Sequence, residues 1–486
     1  MMTLSFTELS SHVVTILYGI NILLACTVIF LERRNPTSTL AWILVLFLFP
    51  AGGAILYFMF SQNLTRKKMF QLGAEEHLKY AALLNKEIED LQSGRLTFND
   101  PAMENYKDMI LLHQIQSQAL FSQDNSVEIF TNGRKKFEDL FRTILEAKDH
   151  IHVLYFIIKR DSLGLQLIKI LTVKAQEGVQ VRLLVDSFGN KLRKDDFQPL
   201  IDAGGRVEKF FPSFLSYINL RLNYRNHRKL AVIDGQIGYI GGFNVGNEYI
   251  NLKKKMGYWR DTHLKITGTA VHSMQTRFLL DWKVASGEKI KHSTKYYPEP
   301  AIIGTSGIQI VSSGPDSPHE EIKQGYIKMI NSAKKSIYIH TPYFVPDSSI
   351  LEVLKIAALS GVDVKIMIPN KPDHIFVYWA TYSFVGELIK AGAKIYIYNN
   401  GFLHSKTIVV DKKIASVGTA NFDIRSFRLN FEVNAFIYDV GISENLCKVY
   451  DEDLLFCTEL TPEKYAKRSS LIKFKESISR LLAPVL

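Results

Sequence analysis

Two stretches of this chain, 177 residues apart, are spelled almost alike. "NHRKLAVIDGQIGYIGGFN" begins at Asn226 and "LHSKTIVVDKKIASVGTAN" begins at Leu403. In both, a His is followed two places on by a Lys, seven places on by an Asp and seventeen places on by an Asn. An offset of that size is the length of a domain. Whatever one copy folds into, the other must fold into as well.

The flanks repeat too. "FEDLFRTILEAKDHIHVLYFIIKRD" from Phe137 and "IKQGYIKMINSAKKSIYIHTPYFVPD" from Ile322 both read helix, strand, aromatic pair, and a further helix follows in each. This alignment sets Tyr155-Phe156 opposite Tyr343-Phe344. "EGVQVRLLVD" and "SGVDVKIMIP" then supply a strand after a glycine turn, and an "AGG" or "AGA" turn follows. Strands alternating with helices predict α/β layers. The fold expected is two α-β-α sandwich domains in a pseudo-twofold arrangement, over residues 121–298 and 299–486, with the boundary in the loop-like "KHSTKYYPEPAIIGTSG".

The N-terminus is different in kind. Val13–Leu31 is 19 residues without a charge, and Leu40–Phe60 is 21. Each is about long enough to cross a hydrocarbon layer of ~30 Å as a helix. Residues 1–62 are therefore expected to hold a two-helix transmembrane hairpin. No basic stretch precedes the first run, which argues against a cleaved signal. Pro50 and Gly52-Gly53 are placed to kink the second. Arg33 and Arg34 lie in the connecting loop and Arg66, Lys67 and Lys68 follow the second run, a bias that leans towards a cytoplasmic body. Residues 63–120 read as a helical connector. The net charge of +11 favours phosphate-bearing partners. Cys26, Cys447 and Cys457 have no metal-ligand spacing and no disulfide pattern.

Within each motif, alternation on a strand turns His227 and Lys229, or His404 and Lys406, to one face. Asp234-Gly235 reads as a hairpin turn. If both copies meet at a shared seam, two His, two Lys and two Asn surround one point. That set suits phosphoryl transfer. Ammonium and amide groups stabilise phosphate oxygens, one imidazole attacks phosphorus, and the other protonates the leaving alkoxide. A carboxylate behind each imidazole fixes its tautomer. The candidate catalytic residues are His227, Lys229, Asp234, His404, Lys406 and Asp411. Asn244 and Asn421 join the two lysines as candidate phosphate ligands.

The paired His-x-Lys-x4-Asp-x6-Gly-[Gly/Thr]-x-Asn motifs resemble the phospholipase D superfamily over residues 125–486. With "ERRNPTSTLAWIL", "GYWRDTHLKITGTAV", "HTPYFVPD" and "GFLHSKTIVVDKKIASVGTANFDIRSFRLNFE", the chain resembles bacterial cardiolipin synthases over nearly its whole length. Thr419 stands where many members carry Ser or Gly. The resemblance implies two phospholipase D-like domains and condensation of two phosphatidylglycerol molecules into cardiolipin and glycerol, without metal or nucleotide. It implies His227 as nucleophile and His404 as general acid. It implies that Glu432 accepts the Nδ1–H of His404. For His227 the corresponding acid is Asp261, with Glu248 the alternative. The expected partners are phosphatidylglycerol and cardiolipin in a bacterial cell membrane, crossed more than once by the chain, with no nucleic acid and no metal. A phospholipase that hydrolyses lipids is the competing reading. A nuclease fits the spans poorly, and a scaffold would not need both motifs intact. "FFPSFLSYI" (Phe210–Ile218) and "HIFVYWATYSF" (His374–Phe384) are candidates for an apolar site mouth. His263, His272 and His340 read as packing residues.

Overall fold

Runs of Val, Ile, Leu and Tyr recur through both halves, and each becomes a strand. The computed structural model describes residues 6–30, 36–49, 52–60, 69–70, 73–211, 223–253, 256–288 and 293–483. In the first half the strands are β1 Phe121–Phe130, β2 His150–Tyr155, β3 Gln180–Asp186, β4 Arg206–Phe210, β5 Arg225–Asn226, β6 Leu230–Ile233, β7 Ile237–Gly241, β8 Trp259–Arg260 and β9 His263–Thr267. In the second they are β10 Ser306–Ser313, β11 Ser336–His340, β12 Phe344–Val345, β13 Asp363–Pro369, β14 Lys394–Tyr398, β15 Phe402–Leu403, β16 Thr407–Val410, β17 Ile414–Gly418, β18 Phe422–Asp423, β19 Asn430–Tyr438 and β20 Cys457–Glu459.

One mixed sheet runs β4-β3-β2-β6-β7-β9-β1 and continues through an antiparallel β1–β10 pairing into β10-β19-β17-β16-β11-β13-β14-β20. Outward from that pairing the order reads the same on both sides until β20. The outer strands are parallel (β2-β3-β4 and β11-β13-β14) and the strands next to the seam antiparallel. β2 is buried along its whole length, as a strand covered on both faces must be. The covering helices are capped alike: Asp161 accepts the Gly164 N–H at the start of Ser162–Gln176, and Asp347 accepts the Ile350 N–H at the start of Ser348–Leu359. Strand register also corrects the sequence alignment. Ile151 pairs with Ile233 and Ile337 with Val410, which sets Tyr155 opposite Thr341, two places short of Tyr343.

Residues Met69–Phe210 and Arg225–Leu486 form one unit, the two halves being fused through the shared sheet. The stretch read as a connector is part of it. Met103, Tyr106, Met109 and Ile110, on and before the helix Lys107–Ser117, are buried in the core of the second half with Tyr326 and Phe436.

The other unit holds Met1–Lys68 with Phe211–Tyr224. Its helices are Phe6–Phe30, Pro36–Leu48 and Gly53–Phe60. The second apolar run is thus two short helices, not one. A residue before proline is driven out of helical conformation, and Phe49 precedes Pro50. Among the described residues no helix is long and apolar enough to cross a membrane. A small cluster of Ala25, Val28, Leu46 and Tyr57 holds the helices together, and the Asn21 amide donates to the Leu46 carbonyl at 2.9 Å.

Candidate active site

The motif aspartates close tight turns. Asp234 and Gly235 both have positive φ, 53° and 64°, as do Asp411 and Lys412, 52° and 57°. Positive φ at both central residues is the hairpin turn whose twist matches its strands. The carboxylates do not reach the histidines. Asp234 accepts the backbone N–H groups of Lys148, Asp149 and His150 at 2.7–2.9 Å. Asp411 accepts those of Lys334, Lys335 and Ser336 at 2.7–2.9 Å. Seven residues of extended chain put each Asp roughly 20 Å from its motif histidine. The reading of Asp234 and Asp411 as catalytic is therefore corrected: each clamps a turn to the start of the neighbouring strand.

At the other end of each motif the chain crosses the seam. β5 pairs in parallel with β19, Arg225 opposite Asn430 and Asn226 opposite Phe431. The His227 N–H then donates to the Phe431 carbonyl at 3.0 Å. β15 pairs in parallel with β8, Leu403 opposite Arg260, and the His404 N–H donates to the Arg260 carbonyl at 2.7 Å. The residue that follows each accepting carbonyl is an acid, Glu432 in one case and Asp261 in the other. Nδ1 of His227 lies 2.9 Å from both carboxylate oxygens of Glu432. Nδ1 of His404 lies 2.6 Å from Oδ2 of Asp261. This reverses the expected pairing. Glu432 holds His227, Asp261 holds His404, and each imidazole is oriented by the other half. Glu248 holds neither; it pairs with Lys159 and with Lys253.

An ionised carboxylate only accepts, so Nδ1 carries the hydrogen in both imidazoles and Nε2 is left with its lone pair. Both histidines line one cavity of about 760 Å³, together with Asn244 and Asn421. Phe156 packs edge-on against His227 with ring centres 4.9 Å apart, and Trp259 lies tilted against His404 with ring centres 5.2 Å apart. Burial drives the His227 imidazole down to about 4, against the pull of Glu432. His404 is lowered too, by burial and then by Lys406. Glu432 is raised by burial, but His227, Lys229 and Thr419 more than offset this and hold it below the usual range.

Lys229 and Lys406 are buried, and each ammonium donates to the carbonyl of the histidine two residues before it. Burial lowers Lys229 to about 7 and Lys406 to about 8. Asn244 accepts the Ile157 N–H at 3.1 Å, so only its NH2 is left to donate. The Asn421 NH2 donates to Asp423 at 3.1 Å. Thr419, the departure from the motif, donates its hydroxyl to Glu432 at 2.5 Å. The position matching Thr419 is Gly242, since Gly241 pairs with His263 as Gly418 pairs with Asn434. A Cβ at Gly242 would fall 1.9 Å from the Asp261 carboxylate.

Of the expected mouth segments, Ile375 and Phe376 are exposed and line the cavity. Residues 212–218 of the other lie outside the described residues. Tyr343 lines the cavity and hydrogen-bonds Asp373, whereas Tyr155 is in the core beside Lys136. His263, His272 and His340 do not line it. Arg225, in the basic run "RNHRK", lines it, and so do Arg425 and Tyr249, which the sequence reading passed over.

Residues 140–282 and 326–454 match the family described as "Cardiolipin synthase, PLD-like domain". The chain belongs to the cardiolipin synthase family. Residues 19–62 match the family described as "Phospholipase_D-nuclease N-terminal". The chain is 55% identical to the major cardiolipin synthase ClsA of Bacillus subtilis (strain 168), over 99% of this chain and all of that one. It is 52% identical to the cardiolipin synthase of Listeria monocytogenes serotype 4b (strain CLIP80459), over 98% of this chain and all of that one. The phosphatidylserine synthase of Haemophilus influenzae Rd KW20 shares the fold, with a TM-score of 0.59 at 16% identity, over 78% of this chain and all of that one.

Proposed function

We propose that this chain condenses two phosphatidylglycerol molecules into cardiolipin and glycerol through a phosphohistidine intermediate. The observation that carries the reading is the pair of imidazoles on one cavity, each fixed in its Nδ1–H tautomer by a carboxylate from the other half. Nε2 of His227 attacks phosphorus and a P–N bond forms as the P–O bond to glycerol breaks. His404, protonated on Nε2, gives that proton to the departing glycerol oxygen. A second phosphatidylglycerol enters, His404 takes the proton of its free hydroxyl, and the oxygen displaces His227 from phosphorus. Lys229, Lys406 and the Asn244 amide offset the charge on the phosphate oxygens as it builds. The phosphate's own negative charge raises the pKa of His404 when substrate is bound, which provides the acid the first step needs.

The site acts at a membrane. The helices of residues 6–60 leave Ile16, Leu23, Phe30, Leu40, Phe47 and Leu48 exposed, an apolar surface suited to lipid. The proposed anchor is this segment, passing through the bilayer of a bacterial cell membrane, with the catalytic body on the cytoplasmic side. Held there, the site meets lipid hydroxyls at high effective concentration. The test is to place the full chain in vesicles of labelled phosphatidylglycerol and resolve the products. Cardiolipin with one glycerol released per molecule is expected. Phosphatidic acid as the main product would make the protein a hydrolase.

A further inference from the structure

The two halves offer the cavity opposite ends of a hydrogen bond. The motif asparagines differ first. Asn244 uses its amide oxygen to accept the Ile157 N–H, which leaves its NH2 as the donating end. Asn421, its counterpart, gives its NH2 to Oδ2 of Asp423 at 3.1 Å, and among the described residues no donor reaches its Oδ1. The same reversal recurs at a second pair. Gly241 pairs with His263 as Gly418 pairs with Asn434, and four residues before these partners stand Trp259 and Asn430. The Trp259 indole N–H is buried with no acceptor among the described residues. Asn430 gives its NH2 to Oε1 of Glu432 at 3.0 Å, and its Oδ1 meets no donor among them.

A carboxylate only accepts, so Asp423 and Glu432 fix which end of each amide is nitrogen. Asn244, Trp259, Asn421 and Asn430 all line the cavity. Asn421 and Asn430 are only 4% and 5% exposed. A buried acceptor without a donor is costly, and folded proteins rarely leave one. An ionised phosphate cannot satisfy it, because phosphate oxygens accept as well. Ester carbonyls and acyl chains bring no donor either. The donors on a phosphatidylglycerol molecule are the hydroxyls of its head group.

We propose that the amide oxygens of Asn421 and Asn430 form a subsite for the glycerol hydroxyls of the lipid head group. The phosphate is left to the lysines and to the N–H donors of the first half. The subsite rests on the condensation reading above and adds the selectivity of its acceptor step. The acceptor head group has two free hydroxyls. One attacks phosphorus. The other, on the adjacent carbon, donates to these oxygens and holds the first in place. A site built to pair a hydroxyl disfavours an alcohol that lacks it, because the site's own oxygens are then left unpaired.

The test uses the full chain in phosphatidylglycerol vesicles and two soluble acceptors at equal concentration. Labelled glycerol has the neighbouring hydroxyl and 1-propanol does not. The parent should transfer phosphatidyl groups to glycerol at least tenfold faster than to 1-propanol. N430L and N421L should each lower that ratio at least fivefold. Loss of the Asn430 amide also takes a donor from Glu432 and slows both reactions, but a shared loss cancels in the ratio. Transfer to 1-propanol also reports that a variant is folded; if a leucine variant transfers to neither alcohol, N430A and N421A are read by the same ratio. A parent ratio near one overturns the subsite, and so does a variant ratio within twofold of the parent's. If the parent transfers to glycerol but makes no cardiolipin, the condensation reading fails while the ratio still decides the subsite. Phosphatidic acid with transfer to neither alcohol in the parent overturns both.

Discussion

Around His227 the orienting acid is a glutamate with two further donors; around His404 it is an aspartate pressed against a glycine. Glu432 accepts from His227, from the Thr419 hydroxyl at 2.5 Å and from the Asn430 amide at 3.0 Å. Asp261 accepts from His404 at 2.6 Å and from the Thr262 N–H at 2.7 Å. The backbones are equivalent, so the difference lies in the side chains alone. Longer acid goes with Thr419, and shorter acid goes with Gly242. In the proposed reaction the first arrangement keeps a carboxylate ionised behind an imidazole that is to stay neutral and nucleophilic, and the second gives one close contact to an imidazole that must gain and lose a proton. On that proposal the two copies of one motif serve two tasks.

The largest test of that division is removal of either imidazole. H227A and H404A should each lower cardiolipin formation by roughly 10³-fold or more, because nucleophile and acid act as a unit. With a lipid labelled in its phosphatidyl group, label held by His227 supports the assignment, and label held by His404 reverses the two roles.

The acids come next and test the crossed pairing. E432Q and D261N should each lose roughly 10²-fold in turnover. D261N should be rescued by a donor with a good leaving group, since its defect lies with His404. E432Q should not be. Rescue of E432Q in place of D261N would restore the pairing within each half.

The lysines set the pH response. Lys229 near 7 and Lys406 near 8 are charged below those values and neutral above. For the free enzyme, kcat/KM should fall by about tenfold per pH unit between 7 and 8 and by about a hundredfold per unit above 8, with the limb in kcat displaced upward because bound phosphate favours the charged lysines. His227, near 4, should contribute no acid limb around neutrality. A kcat/KM flat to pH 10 would mean that neither lysine charge is needed.

Smaller effects separate the two copies further. T419V removes one donor from Glu432 and should cost several-fold in turnover, about 1 kcal/mol. G242A forces a Cβ onto the Asp261 carboxylate and should cost more than T419V; equal effects would mean that the copies are interchangeable. Least of all should happen to turnover in D234N and D411N. Each should lower stability by about 1–3 kcal/mol, read by denaturant unfolding, while activity per folded molecule stays within twofold.

The duplication was legible because the 177-residue offset repeats at His, Lys, Asp and Asn together. The hairpin at Asp234-Gly235 was legible from turn chemistry. The work of the Asp side chain was not, because its three amide partners, residues 148–150, come from a loop about 85 residues earlier. Glu432 was suggested by the family resemblance and Asp261 was preferred to Glu248, but each was assigned to the histidine of its own half. Under a pseudo-twofold the paired and crossed arrangements have the same sequence, and only the β5–β19 and β8–β15 pairings decide between them. The helix Lys107–Ser117 read as a connector because its apolar face is only about three turns long. Arg225 and Arg425 looked like ordinary surface charge, since nothing local marks which arginine faces a cavity.

The crossed carboxylates also say what kind of object this chain is. Remove the link between residues 298 and 299, make the halves identical, and the seam becomes the self-complementary interface of a symmetric homodimer, with each subunit's histidine completed by its partner. Such a dimer is bound by its symmetry: a change that improves one histidine as nucleophile is imposed on the other as acid. Joining the copies in one chain lifts that restriction. Thr419 facing Glu432 and Gly242 facing Asp261 are what unequal subunits look like once they can mutate separately.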